Sequence, residues 1–272
     1  MNESLDSSTA FLAQKLVKTD ETCPIHNINM VTIGSGRPVC LECARESLAE
    51  QNAKQSIDGT QLVNKRRTQS WLFNRSIYLD KTLSKASFDN YCTDDQETAR
   101  NKAQALKIAR EYFKGETFNT LLSGNPGTGK SHLAMSMLRE INEYSKPYRK
   151  CLFISIDELM RRIRSSFDNS DSQYNEQSMV AMLIEADVLV IDDLGAETGA
   201  ISTGKTASDF TTRILYATIN GRMTKPTIFT TNLNSKELSA MYDSKLVSRM
   251  FRGVKGHVIT FTETSDKRMV QF

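Results

Sequence analysis

Long apolar stretches are missing from this 272-residue sequence, and its start lacks a basic segment followed by an apolar one. A membrane-spanning helix needs about 20 predominantly apolar residues in a row. A secretory signal needs a positively charged region before its apolar region. The sequence therefore predicts a cytoplasmic protein that has no membrane partner.

Cysteine and proline are scarce, with five residues of each. Three cysteines cluster near the N-terminus while Cys92 and Cys151 stand alone, and this odd total argues against a disulfide framework and for a reducing compartment. An excess of one charge is also lacking, since the formal net charge is +3. Such a small excess does not by itself indicate a nucleic-acid partner.

One motif dominates what the sequence does contain. Its pattern, G-x-x-x-x-G-K-[ST], is that of the phosphate-binding loop of nucleotide triphosphatases. Glycines let the backbone approach phosphate closely, and the positive end of the following helix attracts the anion. An apolar strand before the motif and a helix after it, starting at His132, favour this interpretation over a glycine-rich turn with a chance lysine. The motif comprises Gly124, Asn125, Pro126, Gly127, Thr128, Gly129, Lys130 and Ser131.

Two residues of this motif have specific predicted roles. In such loops the lysine reaches the β- and γ-phosphates and the serine hydroxyl binds Mg²⁺. We therefore predict that Lys130 binds phosphate, that Ser131 is a magnesium ligand, and that the loop and His132 form the nucleotide site.

Four potential metal ligands stand in two pairs near the N-terminus, Cys23 with His26 and Cys40 with Cys43. Two residues separate the members of each pair, which is the spacing of a tetrahedral zinc site. About 40 residues build little hydrophobic core, so a metal would supply the missing stability. We predict a structural zinc site; free surface thiols are the alternative.

Strands and helices alternate after the phosphate-binding motif, which predicts an α/β fold with a parallel sheet flanked by helices. Ligands of such sheets bind at the carboxyl ends of the strands. This rule places Asp192 and Asp193, at the end of one apolar strand, and Asn232, at the end of another, beside the loop. Asp192 is predicted to hold Mg²⁺, and a solvated strand end is the alternative. Before this region, residues 44 to about 69 are predicted to form a polar helix that is interrupted at 57–59.

A resemblance to a known family is carried by four segments, Gly124–Ser131, Val190–Glu197, Thr230–Leu233 and Ser248–Met250. Together they resemble the AAA+ helicase loaders of the DnaC/DnaI family, over roughly residues 88–268. The Cys/His cluster is similar to the zinc module of the DnaI-like branch. The resemblance implies a zinc-binding, helicase-interacting module at 1–46, a linker at 47–87 and an AAA+ P-loop ATPase domain at 88–272.

The function implied by this resemblance is that of an ATP-dependent DNA replication accessory protein. Such a protein binds a hexameric replicative helicase, helps to load it onto single-stranded DNA, and self-associates through its ATPase domain. Asp193 and Asn232 would then act on the attacking water or the γ-phosphate. Asp193 is one methylene shorter than the glutamate found there in many related ATPases.

Six arginines gain expected roles from the same resemblance. Arg249 matches the arginine finger that reaches the nucleotide of a neighbouring subunit, with Arg252 as the alternative. Arg268 corresponds to the last nucleotide-contacting arginine of the family. The helix bearing Arg161, Arg162 and Arg164 lies where related proteins contact single-stranded DNA; a solvated helix face is the alternative reading.

Three other functions compete with helicase loading. A transposition helper ATPase of the IstB type has the same core but acts on duplex DNA. A nucleotide-gated DNA-binding protein with negligible hydrolysis would fit the short side chain of Asp193. A metabolic kinase needs a phosphate loop too, but would leave the Cys/His cluster unexplained.

Overall fold

The computed structural model describes residues 16–33, 35–167, 172–198 and 207–268. The chain divides into two compact units, Met1–Asn64 and Lys65–Phe272. This division falls inside the predicted linker 47–87, so residues 65–87 belong to the second unit. The reason is hydrophobic: Trp71, Leu72 and Ile77 are buried in the core of that unit.

The described part of the first unit consists of two antiparallel strands and the beginning of a helix. Strands β1 (Leu16–Thr22) and β2 (Asn29–Ile33) pair antiparallel, and Val31 forms a further antiparallel bridge with Val39. Helix α1 (Leu41–Arg75) then begins. Among the described residues of this unit, the buried apolar side chains are Cys23, Val31 and Cys40.

Helix α1 is continuous through residues 57–59, so the predicted interruption is wrong. A glycine inside a helix costs only about 1 kcal/mol relative to alanine, which a helix of 35 residues can absorb. The helix is long but polar. In the described part of the chain, no helix combines the length and the apolar character that a bilayer span requires.

The second unit is built on a five-stranded parallel sheet in the order β4-β5-β6-β3-β7. The prediction of an α/β fold with a parallel sheet is confirmed. The strands are β3 (Thr120–Gly124), β4 (Cys151–Ser155), β5 (Val188–Leu194), β6 (Thr227–Thr231) and β7 (Val258–Phe261).

Helices cover both faces of this sheet. Along β5, Leu189 and Ile191 pack into one hydrophobic cluster and Val188 and Val190 into the other, because successive side chains of a strand point to opposite faces. The helices are α2 (Gln96–Phe113), α3 (Lys130–Tyr144), α4 (Ile156–Ser165), α5 (Glu176–Glu185), α6 (Asp209–Gly221), α7 (Ser235–Met241) and α8 (Ser244–Met250).

Parallel register brings the strand ends to one edge of the sheet. Ser155 pairs with Asp192, and Ser123 pairs with Thr231. Since the chain leaves β3 at this edge, the phosphate-binding motif and the end of β5 lie at the same edge of the sheet, with the end of β6 between the two strands. The sheet order therefore brings the predicted residues to one edge.

Candidate functional site

The loop between β3 and α3 has the backbone shape that its glycines predict. Gly124 and Gly127 have positive φ values of 140° and 74°. A side chain at Gly127 would place its Cβ 1.6 Å from Oδ1 of Asp266. At Gly124 it would lie 2.1 Å from the carbonyl oxygen of Phe261. Glycine is thus required both by conformation and by close approach of the chain's last segment.

The Lys130 side chain folds back across this loop. Its ammonium donates hydrogen bonds to the carbonyl oxygens of Gly124, at 2.8 Å, and Asn125, at 2.6 Å. Burial lowers the pKa of Lys130 from 10.5 to about 8, although Asp193 and Asp192 act in the opposite direction. A phosphate group bound in the loop would favour the charged ammonium.

Asp192 is buried at the end of β5 beside a hydroxyl from the loop. Its Oδ1 accepts a hydrogen bond of 2.6 Å from the Thr230 hydroxyl. Burial raises the pKa of Asp192 from 3.8 to about 6, despite hydrogen bonds from Thr230 and Ser131. A divalent cation beside this carboxylate would stabilise its charged form, and the oxygen donors of Ser131 and Asp192 suit Mg²⁺. The residues present therefore fit this ion.

Asp193 is held by the next strand. Its φ is 59°, which is unusual for a residue other than glycine. The Asn232 amide donates a hydrogen bond of 3.0 Å to Oδ1 of Asp193, and the Thr230 hydroxyl accepts one of 2.8 Å from the Asp193 amide. Burial raises the pKa of Asp193. The two predicted residues thus form one hydrogen-bonded pair.

These groups line a cavity of about 360 Å³. Six of its lining residues were not predicted, and four of them come from a segment before the ATPase core. The only local signal in that segment is Asp80, which caps a short 3₁₀ helix by accepting a hydrogen bond of 2.8 Å from the Thr82 amide. The lining residues are Leu79, Asp80, Thr82, Leu83, Pro126, Gly127, Gly129, Lys130, Ser131, His132, Ser155, Asp192, Asp193, Thr230, Asn232 and Arg268.

Two loop-associated residues make contacts of a structural kind. The Thr128 hydroxyl is bonded to the Asn125 carbonyl oxygen at 2.9 Å. His132 Nε2 lies 3.1 Å from the Ser87 carbonyl oxygen and 2.9 Å from Oδ1 of Asn90. His132 therefore lines the cavity and also ties α3 to the preceding segment.

Arg249 does not join this cavity. The carbonyl oxygen of Arg249 accepts a hydrogen bond of 3.1 Å from the Asn119 side chain, and the Asn119 amide donates to the carbonyl oxygen of Arg252. Asn119 directly precedes β3, which has five residues, and the loop follows the other end of this strand. At about 3.3 Å per residue, Asn119 and the start of the loop are therefore roughly 16 Å apart. The Arg249 guanidinium stacks over the Tyr216 ring at 4.9 Å. Both arginines therefore lie towards the opposite edge of the sheet from the loop of their own chain.

The three arginines of α4 are not equivalent. Glu158 pairs with Arg161 at 2.5 Å and with Arg162 at 2.7 Å. Arg162 also contacts Tyr174, and Arg164 lies over the Phe210 ring at 5.4 Å. Two of the three predicted DNA contacts are thus partly neutralised within the chain.

The first unit brings its four predicted metal ligands together. Ligand atoms around a tetrahedral zinc ion lie about 3.5–3.8 Å apart, given bonds of about 2.0–2.3 Å. The Sγ atoms of Cys23 and Cys43 are 3.6 Å apart, and Nδ1 of His26 lies 3.6 Å from Sγ of Cys40 and 3.3 Å from Sγ of Cys43. Cys23, His26, Cys40 and Cys43 therefore have the chemistry and nearly the spacing that zinc needs.

Sequence reasoning missed the residue that orients this cluster. Nε2 of His26 lies 3.1 Å from Oε1 of Glu46. With a metal ion on Nδ1, Nε2 would carry the proton and donate to this carboxylate, as metal-bound histidines commonly do. Backbone hydrogen bonds from His26 and Ile25 also lower the pKa of Cys23 to about 6, which favours the thiolate.

Comparison with known proteins gives a consistent result. A family model described as IstB-like ATP binding protein matches residues 55–265. The replicative helicase loader DnaC of Escherichia coli (strain K12) is 28% identical over 194 residues, covering 66% of this chain and 72% of the relative.

Two solved structures share the fold. The crystal structure of the DnaC helicase loader has a TM-score of 0.53 at 23% identity, covering 67% of this chain and 99% of the other. The crystal structure of DnaI has a TM-score of 0.52 at 18% identity, covering 69% and 95%.

Proposed function

The chain belongs to the IstB-like ATP-binding family, and on this premise we propose that it is an ATP-dependent replication accessory protein. It binds a hexameric replicative helicase and loads it onto single-stranded DNA. The observation that carries the proposal is the meeting of Lys130, Asp192 and Asn232 at one cavity, in a chain similar to a replicative helicase loader.

Five residues of the cavity would take part in ATP hydrolysis. Lys130 moves from the loop carbonyls to the phosphates, and Ser131 and Asp192 would hold Mg²⁺, which neutralises charge on the phosphates when bound. Asp193 orients the attacking water, and Asn232 fixes the Asp193 carboxylate through their hydrogen bond. The left-handed backbone at Asp193 is the kind of strain that collects at functional sites.

The position of Arg249 supports self-association as part of this proposal. The cavity lacks an arginine from α8, and Arg249 lies towards the opposite edge of the sheet in its own chain. A neighbouring copy would therefore supply this guanidinium, which ties hydrolysis to assembly.

The helicase and the DNA would bind to different units of the chain. The Cys/His cluster of the first unit would form the helicase-binding module, with Zn²⁺ as a structural ion. In the second unit, Arg161 and Arg164 are exposed on α4 and would contact DNA phosphates.

Capture of partners tests this function directly. The immobilised protein is offered a purified hexameric replicative helicase and, separately, a transposase. Helicase capture by the wild type and by Lys130→Ala, but not by Cys40→Ser, is expected. Lys130→Ala should lose ATP binding, because the loop loses the charge aimed at the phosphates.

The same experiment addresses the second candidate, a transposition helper of the IstB type, which the family match itself favours. Capture of the transposase without the helicase would establish that function and refute helicase loading. If ATP stays bound without turnover on single-stranded DNA and helicase, the chain is a nucleotide-gated binding protein.

A further inference from the structure

The last described residues, 262–268, return from β7 to the phosphate-binding loop; we call them the C-terminal strap. The Lys267 amide donates a hydrogen bond of 3.1 Å to the Gly127 carbonyl oxygen. The space above Gly127 is filled by the carboxylate of Asp266, as the position of an added Cβ shows. Arg268 follows directly and lines the nucleotide cavity.

One buried carboxylate holds the start of this strap. Glu97, in the first turn of α2, is 1% exposed. It accepts hydrogen bonds from the backbone amides of Thr262 at 2.8 Å, Glu263 at 3.1 Å and Thr264 at 2.7 Å. The hydroxyls of Thr262 and Thr264 donate at 3.1 Å and 2.5 Å. Five donors converge on two oxygens, which an ionised carboxylate can accommodate and an amide cannot.

A second anchor lies just before the same helix. The Lys267 ammonium donates to the Cys92 carbonyl oxygen at 3.2 Å and pairs with Asp94 at 3.5 Å. Residues 92–97 thus hold the strap at both ends, next to the loop. Arg268 itself is anchored less firmly: its side chain is 73% exposed and lies 3.5 Å from Asp266. Its position therefore depends on the backbone that carries it.

We propose that Glu97 is a positioning residue for the nucleotide site, because it fixes the C-terminal strap so that Arg268 stands in the cavity. This inference rests on the proposed ATP binding and deepens it, since it names the group that holds a nucleotide-contacting arginine from a distant part of the sequence. Arg268 supplies a charge to the nucleotide, and in this proposal Glu97 acts through Arg268 rather than through the contact of the strap with Gly127.

A double-mutant cycle on nucleotide affinity tests this role. The Kd for a non-hydrolysable ATP analogue with Mg²⁺ is measured for Glu97→Gln, Arg268→Ala and the double variant. Each single variant should weaken binding by about tenfold, the range for one charged contact. The double variant should bind no more weakly than Arg268→Ala, because Glu97 has nothing left to position.

Two further variants separate a specific effect of Glu97 on affinity from a general effect on folding. Thr264→Val removes one hydroxyl donor to Glu97 without changing the shape of the side chain, so it should give a smaller loss of affinity even if Glu97→Gln folds poorly. Glu111→Gln is the matched control, since Glu111 lies on the same helix but pairs with His257 at 3.0 Å. Its affinity should equal that of the wild type.

Three outcomes overturn the proposal. The first is unchanged affinity in a folded Glu97→Gln variant, and the second is an equal loss from Glu97→Gln with and without Arg268. The third, for the case in which Glu97→Gln does not fold, is unchanged affinity in Thr264→Val. A purely structural role would lower the melting temperature but leave the two losses additive. Failure of the proposed function would look different, because the wild type would then bind the analogue no better than Lys130→Ala.

Discussion

The two units of this chain are stabilised by different means. In the described part of the first unit, the buried apolar side chains are Cys23, Val31 and Cys40, and two of these are predicted zinc ligands. The second unit buries both faces of a parallel sheet beneath helices. A unit without a sizeable core needs another source of stability. We therefore expect the first unit to depend on metal and the second to fold without it.

Removing the metal should produce the largest difference between the units. Structural zinc contributes about 10–16 kcal/mol of apparent free energy in small zinc-dependent domains. Cys40→Ser or a chelator should unfold residues 16–64 and leave the melting of the second unit unchanged. Elemental analysis and hydrogen exchange measure the two effects. Cys92→Ser, an exposed thiol of the second unit, is the control, and full zinc content in Cys40→Ser would refute the assignment.

Loss of the proposed arginine finger should lower the ATPase activity of the second unit and leave the first unit unchanged. Arg249→Ala should keep its ATP affinity but lose about 10³-fold in turnover, because charge on the γ-phosphate loses a donor from the neighbour. Mixing this variant with Lys130→Ala should restore activity at hybrid interfaces. If Arg252→Ala shows the loss instead, then Arg252 is the finger. An inactive mixture that co-assembles would exclude a role in trans.

Acid should weaken the second unit through Glu97. Burial alone would raise the pKa of this carboxyl, but hydrogen bonds from Thr264, Thr262 and Glu263 lower it from 4.5 to about 2. A lowered pKa stabilises the fold above the unfolded value and loses this contribution as pH falls towards the folded value. The difference in unfolding free energy between wild type and Glu97→Gln should shrink by about 3 kcal/mol between pH 5 and pH 2. A pH-independent difference would show that Glu97 does not titrate in this way.

Replacing Glu46 should weaken zinc binding by the first unit, because Glu46 contacts the predicted ligand His26. Replacing such a partner of a zinc-bound histidine typically costs about 10–100-fold in metal affinity. Glu46→Ala should show this loss in a competition titration with a zinc-binding dye. Glu42→Ala, one turn earlier in α1, removes a carboxylate that pairs with Arg45 and should leave the affinity unchanged. Equal affinities for the two variants would contradict the role of Glu46.

The smallest effect is expected at the proposed DNA contacts. Each phosphate contact to a single strand contributes about 0.7 to the slope of log affinity against log salt concentration. Arg164→Ala should reduce the slope by about this amount. Arg162→Ala should leave it unchanged, because this side chain, unlike the exposed Arg161, is half-buried and its guanidinium is held by Glu158 and Tyr174. If neither Arg164→Ala nor Arg161→Ala changes the slope, α4 does not contact DNA.

Local patterns in the sequence were sufficient to predict those parts of the candidate sites whose functional residues are close together in the sequence. The loop that contains Lys130, the acidic end of β5 and the Cys/His pairs each lie within a few consecutive positions. The α/β class was predictable for the same reason, since each strand and helix is a local pattern. The break predicted at 57–59 was wrong, because one glycine is a small cost for a long helix.

The sequence by itself thus determined the phosphate loop, the metal-ligand spacing and the alternation of strands and helices. Only the tertiary structure decided that Glu46 contacts His26. It also decided that Thr230 forms hydrogen bonds with both Asp192 and Asp193. Likewise, it decided that Glu97 accepts hydrogen bonds from a segment that begins 165 residues further along the chain. It also decided that Arg249 lies away from the loop of its own chain. The physical reason is that such contacts depend on how separate elements pack together, and no local propensity or spacing specifies which distant elements become neighbours.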